Sequence, residues 1–292
     1  MPPDRQPPPP PRAIPSAPPS PVPSPVAPAA PAASRAPAAG EPLFEIRGLT
    51  KSFGDRKVLD GLDFDIRRGE CFVILGRSGS GKSVTLRQLN GLDKPDAGRV
   101  IFDGTDITPL AERDLFPVRR RIAMLFQNGA LFDSMTVADN IAFPLREHTR
   151  LSAAEIAAKV QEKLGLVHLP EAGPKLPSDL SGGMRKRAAL ARSLALDPEV
   201  VLYDEPTTGL DPMTSAAIGH LIRQIHGHLN VTQVVITHDI ALARRVGDRI
   251  AYLSSGHFRF VGDWAAAERS GDQELGDFLA GRELEKEDGG HG

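Results

Sequence analysis

One cysteine, Cys71, stands in the whole chain, so no intramolecular disulfide can form, which fits a reducing compartment. It opens the apolar run Cys71-Phe72-Val73-Ile74-Leu75 and reads as a buried strand residue. Long apolar stretches are missing too. None approaches the roughly 18 to 20 residues that a membrane-spanning helix needs, so any membrane link is expected to run through a partner. Proline interrupts every candidate apolar core near the N-terminus, which argues against a secretory signal. An excess of charge of one sign is also absent. The 35 basic and 37 acidic residues leave a formal net charge of -2, no global footprint for nucleic acid, although local basic clusters remain possible. With 25% charged and 40% hydrophobic residues over 292 positions, the composition is that of a soluble globular protein of one large or two small domains.

Residues 1–42 hold most of the 27 prolines, mixed with Ala and Ser. Proline fixes φ and removes backbone donors, so this stretch is read as a disordered extension of polyproline character. A plain spacer and a ligand for a proline-reading partner are both open. The folded part is expected from 43 to 281, with a polar tail over 282–292. β-type runs fall at 44–49, 58–66, 71–75, 99–102 and 122–126, then at 200–203, 234–237 and 249–253. Helical spacing follows Lys82 and dominates about 128–196, as in 153–164 and 184–196, and returns at 215–229. Continuous apolar strands alternating with helices predict an α/β fold, its largely parallel sheet covered on both faces and split in sequence by a helical insertion.

The strongest motif is Gly76-Arg77-Ser78-Gly79-Ser80-Gly81-Lys82-Ser83, a Gly, four residues, then Gly-Lys-Ser, between an apolar strand and a helix. Glycines let successive N–H groups curl around phosphate oxygens, and the following helix presents its positive end. Lys82 is placed to reach terminal phosphates and Ser83 to ligate Mg²⁺. A second strand, 200–203, delivers Asp204 and Glu205 to its C-terminal end, where ligands sit in open α/β sheets. Downstream of a phosphate loop, Asp204 reads as a Mg²⁺ holder and Glu205 as the base for an attacking water; alone, two acids after a strand often only begin a loop. Gln127 and His238 each follow a strand, where Gln127 can reach Mg²⁺ or water and His238 the γ-phosphate; each is also an ordinary loop residue when taken alone. Leu180-Ser181-Gly182-Gly183-Met184 opens a helix with bare glycine N–H groups, a second anion site or a simple cap. Arg185, Lys186 and Arg187 then crowd its first turns, either awaiting a negative ligand or forming a solvated basic face.

These five elements, in the chain order phosphate loop, Gln127, Leu180 to Met184, Asp204-Glu205 and His238, with Glu205-Pro206-Thr207-Thr208-Gly209-Leu210-Asp211, resemble the ATPase subunit of ABC transporters over about residues 43–265. The resemblance implies a P-loop NTPase core, an N-terminal antiparallel β subdomain and an inserted helical subdomain. It implies ATP and Mg²⁺ as ligands, with Phe53 stacked on adenine and supported by Val58. It further implies a dimer in which Ser181, Gly182 and Gly183 of one copy complete the other's site and Asp211 couples the two. Residues 125–140 (LFQNGALFDSMTVADN), 144–149 (PLREHT), the signature's Met184 and 277–281 (DFLAG) are similar to the Mla-type phospholipid transporter ATPases. That narrower likeness implies an integral-membrane permease, an MCE-type lipid-binding protein and a peripheral position on the cytoplasmic side of the inner membrane, with no nucleic acid. Transport of another solute, or a soluble role in translation or DNA repair, are the competing readings.

Overall fold

The computed structural model describes residues 40–282. The expected Pro-rich extension, up to residue 39, and the polar tail beyond Arg282 lie outside the described residues. The chain begins with β1 (Pro42–Phe53), β2 (Arg56–Arg67), β3 (Cys71–Leu75), α1 (Lys82–Leu89), β4 (Ala97–Phe102) and β5 (Thr105–Asp106). It continues through α2 (Glu112–Arg121), β6 (Ile122–Leu125), α3 (Val137–His148), α4 (Ala153–Leu166), α5 (Gly182–Ser193) and β7 (Val200–Asp204). The last elements are α6 (Pro212–Leu229), β8 (Thr232–Thr237), α7 (Ile240–Val246), β9 (Arg249–Ser254), β10 (His257–Gly262), α8 (Trp264–Glu268) and α9 (Gln273–Leu279).

Two sheets result. Strands β2-β1-β4-β5 form an antiparallel sheet in that order, and β10-β9-β3-β8-β7-β6 a six-stranded one, parallel except for β10 at its edge. Side chains alternate across a strand, so each parallel strand serves two cores. Val73 and Leu75 face one side with Val201 and Val235, packing with Leu145, Leu164 and Leu180 of the helical insertion. Phe72 and Ile74 face the other with Leu202 and Ile236, packing on Leu86 of α1 and on Phe44, Phe64 and Phe102 of the antiparallel sheet. Every residue of β3, β7 and β8 is buried, which is why Cys71–Leu75, 200–203 and 234–236 read as continuous apolar runs rather than alternating ones, with the polar residues Thr232, Gln233, Thr237 and Asp204 at the strand ends.

Sequence and structure differ in extent and in two strands, β5 and β10, that fall outside the expected runs. The first two strands run 12 residues each, well beyond the expected 44–49 and 58–66. Register shifts at Ile46/Leu49 and Leu49/Lys51 break the two-residue period that the apolar pattern would display. α2 carries one buried residue, Leu115, and an internal Pro117, a residue that disfavours a helix interior and masks the helix in the sequence.

Strand β4 leaves β1 beside a close backbone crossing. Gly98 has φ 83, and a Cβ there would stand 2.5 Å from the Arg47 carbonyl and overlap that of Gly48. Gly98→Ala is expected to cost about 3 kcal/mol through combined strain and overpacking. Gly104→Ala, at φ 75 with open space around it, should cost only about 1 kcal/mol. Thermal unfolding of the two variants, which should differ by several degrees, checks this.

Candidate functional site

The parallel register brings four strand ends to one edge. Leu75 lies beside Thr237, Asp204 beside Ile236, and Leu125 beside Tyr203. The residues following them, Gly76 onward, Glu205, His238 and Gln127, therefore converge although up to 162 positions separate them in the chain (238 − 76). All but Gly76 and Ser80 border a cleft of about 830 Å³, and Asp204 stands behind its wall. Phe53 and Val58 line it from the antiparallel sheet, and Arg77, Ser78, Gly79, Gly81, Lys82 and Ser83 from the loop and α1. Gln127, Glu205 and His238 complete the wall among the expected residues. Phe53 is half exposed, with Lys51 Nζ 5.6 Å from its ring centroid, so its face is available to a planar ligand at the mouth.

The loop can accept only glycine at its closest points. A Cβ at Gly76 would stand 2.5 Å from Leu253 O, and one at Gly81 (φ 106) 2.8 Å from Leu59 Cδ2. Gly79 takes φ 78. The hydroxyl of Ser80 is buried without a hydrogen-bond partner, a polar atom that a phosphate-lined loop could use. Lys82 is 6% exposed; its ammonium donates to the carbonyls of Gly76 (2.8 Å) and Arg77 (3.0 Å) and stands 3.3 Å from Glu205 Oε1.

Glu205 holds an uncommon conformation. Its φ is 46, secured by its N–H donating to Ile236 O at 3.0 Å. Such non-glycine strain is concentrated at functional sites. The carboxylate lies 9% exposed between Lys82 and His238, whose Nδ1 is 2.9 Å from Oε2. Thr208, which the motif reading passed over, also donates to it at 3.4 Å. Sequence reasoning aimed His238 at a phosphate; here it partners the acid.

Ser83 Oγ donates to Asp204 Oδ1 at 3.0 Å. Burial pushes the Asp204 carboxyl pKa up, the Ser83 bond pulls it down, and the Glu205 charge raises it again. A desolvated carboxylate beside a hydroxyl is an all-oxygen set that suits a hard cation such as Mg²⁺, and a bound cation would relieve its burial. Among the described residues no cluster of three His, Cys, Asp or Glu side chains stands ready to hold a metal alone, so the remaining ligands would be water and substrate.

Ser181, Gly182, Gly183 and Asp211 are not brought to this cleft. Ser181 caps α5, accepting from Met184 N–H, and Asp211 caps α6, accepting from Met213 and Thr214 N–H. The two caps adjoin: a Cβ at Gly183 would overlap Thr214 Cγ2, and one at Gly182 would touch Leu210 at 3.4 Å. Small residues at the start of α5 thus permit close helix approach as well as bare N–H groups. The basic cluster after them divides: Arg185 is exposed and Arg187 half-buried, as a solvated face would be, and Lys186 is buried. Arg185 donates to Leu180 O, Arg187 to His168 O, and the buried Lys186 to Gln127 O. Burial lowers the Lys186 pKa, while the Asp204 and Glu205 charges raise it. Phe278 and Arg282 also line the cleft, carried there by α9 through bonds from Tyr252 and Ser254 to Glu274. No local pattern in the sequence marks either as a site residue.

Comparison with known proteins agrees with this geometry. Residues 59–208 match the family model described as ABC transporter. The chain is 39% identical to the intermembrane phospholipid transport system ATP-binding protein MlaF of Escherichia coli K12, over 82% of this chain and 89% of that one. To MlaF of Haemophilus influenzae it is 44% identical, over 70% of this chain and 78% of that one. To the probable ribonucleotide transport ATP-binding protein mkl of Mycobacterium tuberculosis H37Rv it is 45% identical, over 82% and 67%. Among solved structures, a dimeric ATP-binding cassette in a post-hydrolysis state with ADP and Pi aligns with TM-score 0.70 at 34% identity, covering 75% of this chain and 98% of that one. A second, cbiO1 of Clostridium perfringens, part of the ABC transporter complex cbiONQ, aligns with TM-score 0.72 at 30% identity, covering 80% and 92%.

Proposed function

The chain belongs to the ABC transporter family as an ATPase, and from that premise we propose that it powers phospholipid transport at the cytoplasmic face of a bacterial inner membrane. The observation that carries the cargo is its 39% identity to MlaF along 89% of that protein. Similarity to mkl, whose name specifies ribonucleotide transport, supports a second reading of the cargo with the same motor.

In the proposed site the Gly76–Ser83 loop binds the phosphates of ATP and Lys82 moves from its carbonyl partners to their terminal oxygens. Phe53 and Val58 hold the base. Ser83, Asp204 and Gln127 hold Mg²⁺, which when bound neutralises charge building on the phosphates. Glu205 takes the proton from the attacking water, and His238, already paired with it, donates toward the γ-phosphate side. The anion-binding start of α5, away from the cleft of its own chain, supports a dimer in which Ser181 to Gly183 close over the other copy's nucleotide, with Asp211 at the junction. The dimeric state of the similar cassette supports this arrangement. Among the described residues no helix is long and apolar enough to cross a membrane, so the lipid path falls to an integral-membrane permease, with an MCE-type lipid-binding protein beyond it.

Co-purified with its permease and reconstituted in phospholipid vesicles, the complex is expected to move a fluorescent phospholipid only with hydrolysable ATP. Transport of ribonucleotides with no phospholipid movement would replace the first reading by the second. ATP turnover absent from both assays and from the isolated chain would remove the motor.

A further inference from the structure

We propose that Lys186 is a positioning residue that ties α5 to the Gln127 loop and thereby sets where the Gln127 side chain stands at the metal. The proposal rests on reading the cleft as a Mg–ATP site.

Gln127 lies just past the end of β6, beyond the ladder that holds Leu125 to Tyr203. What fixes the loop it begins is one face of α5. Lys186 Nζ donates to Gln127 O, Ala189 packs where a Cβ at Gly129 would approach to 3.2 Å, and Arg192 Nη1 donates to Ala130 O at 2.6 Å. Positions three apart lie on the same side of a helix, so these contacts form a continuous clamp along the loop. Lys186 is its end nearest the chemistry, and Gln127 is the clamped residue that lines the cleft.

Lys186 also differs from its neighbours. It is buried while Arg185 is exposed, and a buried ammonium persists only with a partner. Charge-assisted bonds to a carbonyl are among the stronger ones, and the Gln127 carbonyl is held by such a bond.

Groups that orient a metal ligand typically contribute about 10- to 100-fold in metal affinity or activity. The test uses the full chain with Mn²⁺ and a non-hydrolysable ATP analogue, Mn²⁺ affinity being read by electron paramagnetic resonance. Lys186→Met is expected to weaken Mn²⁺ binding about tenfold or more. Analogue binding without metal should stay within about twofold of wild type, as only the metal side is disturbed. Lys186→Arg, which keeps a cationic donor, should recover most of the loss. Arg187→Met, on the same helix but bonded to His168 O, should match wild type. Should Lys186→Met not fold, Lys186→Gln, which shortens the reach and removes the charge, takes its place in the same comparison. Wild-type Mn²⁺ affinity in the variant, or equal loss of metal-free analogue binding, overturns the proposal. A wild-type chain that holds no Mn²⁺–nucleotide overturns the Mg–ATP reading itself, and the inference with it.

Discussion

Glu205→Gln is expected to bind ATP normally and hydrolyse it at least about tenfold more slowly, with about 10² the central expectation for loss of a general base. The substitution keeps the size of the side chain and one carbonyl-type acceptor. It therefore preserves most packing around a residue that is 9% exposed and held at φ 46 by the Ile236 carbonyl. What it removes is the negative charge between Lys82 and His238 and the ability to take a proton. Phosphate release at saturating ATP gives the turnover, and a fluorescent ATP analogue gives the affinity. A hundredfold loss equals about 2.7 kcal/mol of barrier. Turnover near that of the wild type would assign the proton to another group and leave Glu205 as only the counter-ion of Lys82.

Lys82→Ala is expected to weaken ATP binding by about 100-fold or more, since each bond from a charged donor to phosphate contributes roughly 1.5–3 kcal/mol. Without nucleotide, Lys82 already serves the loop: it satisfies the carbonyls of Gly76 and Arg77 and faces Glu205. Its removal leaves the buried carboxylate with only His238 and the Thr208 hydroxyl as side-chain partners, so a loss of thermal stability without nucleotide should accompany the binding defect. Calorimetric titration with ATP measures the first effect and a melting curve of the free chain the second. Unchanged affinity would contradict the phosphate role. Lost affinity with an unchanged melting temperature would show that the contacts to Gly76, Arg77 and Glu205 add nothing to the folded state.

Much of the site was legible because its chemistry is local. The loop from Gly76 to Ser83 needs bare backbone, a lysine and a hydroxyl within one turn, and no distant residue can substitute for that order. Asp204 and Glu205 follow an apolar run of strand length, which tells both their level in the sheet and their edge. Less was legible where a residue acts through its reach. Lys186 sits among cations that read either as a site for a negative ligand or as a solvated face, yet it turns inward to Gln127. His238 was read as facing phosphate, and its bond to Glu205 depends on β7 and β8 being neighbours.

The sequence by itself determined eight of the ten strands, the phosphate-binding loop, the paired acids and the helix start at Ser181, each set by the residue types within one short segment. Tertiary structure alone decided the pairing of Glu205 with Lys82 and His238, the grip of α5 on the Gln127 loop, and the arrival of Phe278 and Arg282 at the cleft. The physical reason is that strand order is not sequence order. β3 lies between β8 and β9, so contacts made across that sheet depend on packing between segments distant in the chain, which no local periodicity records.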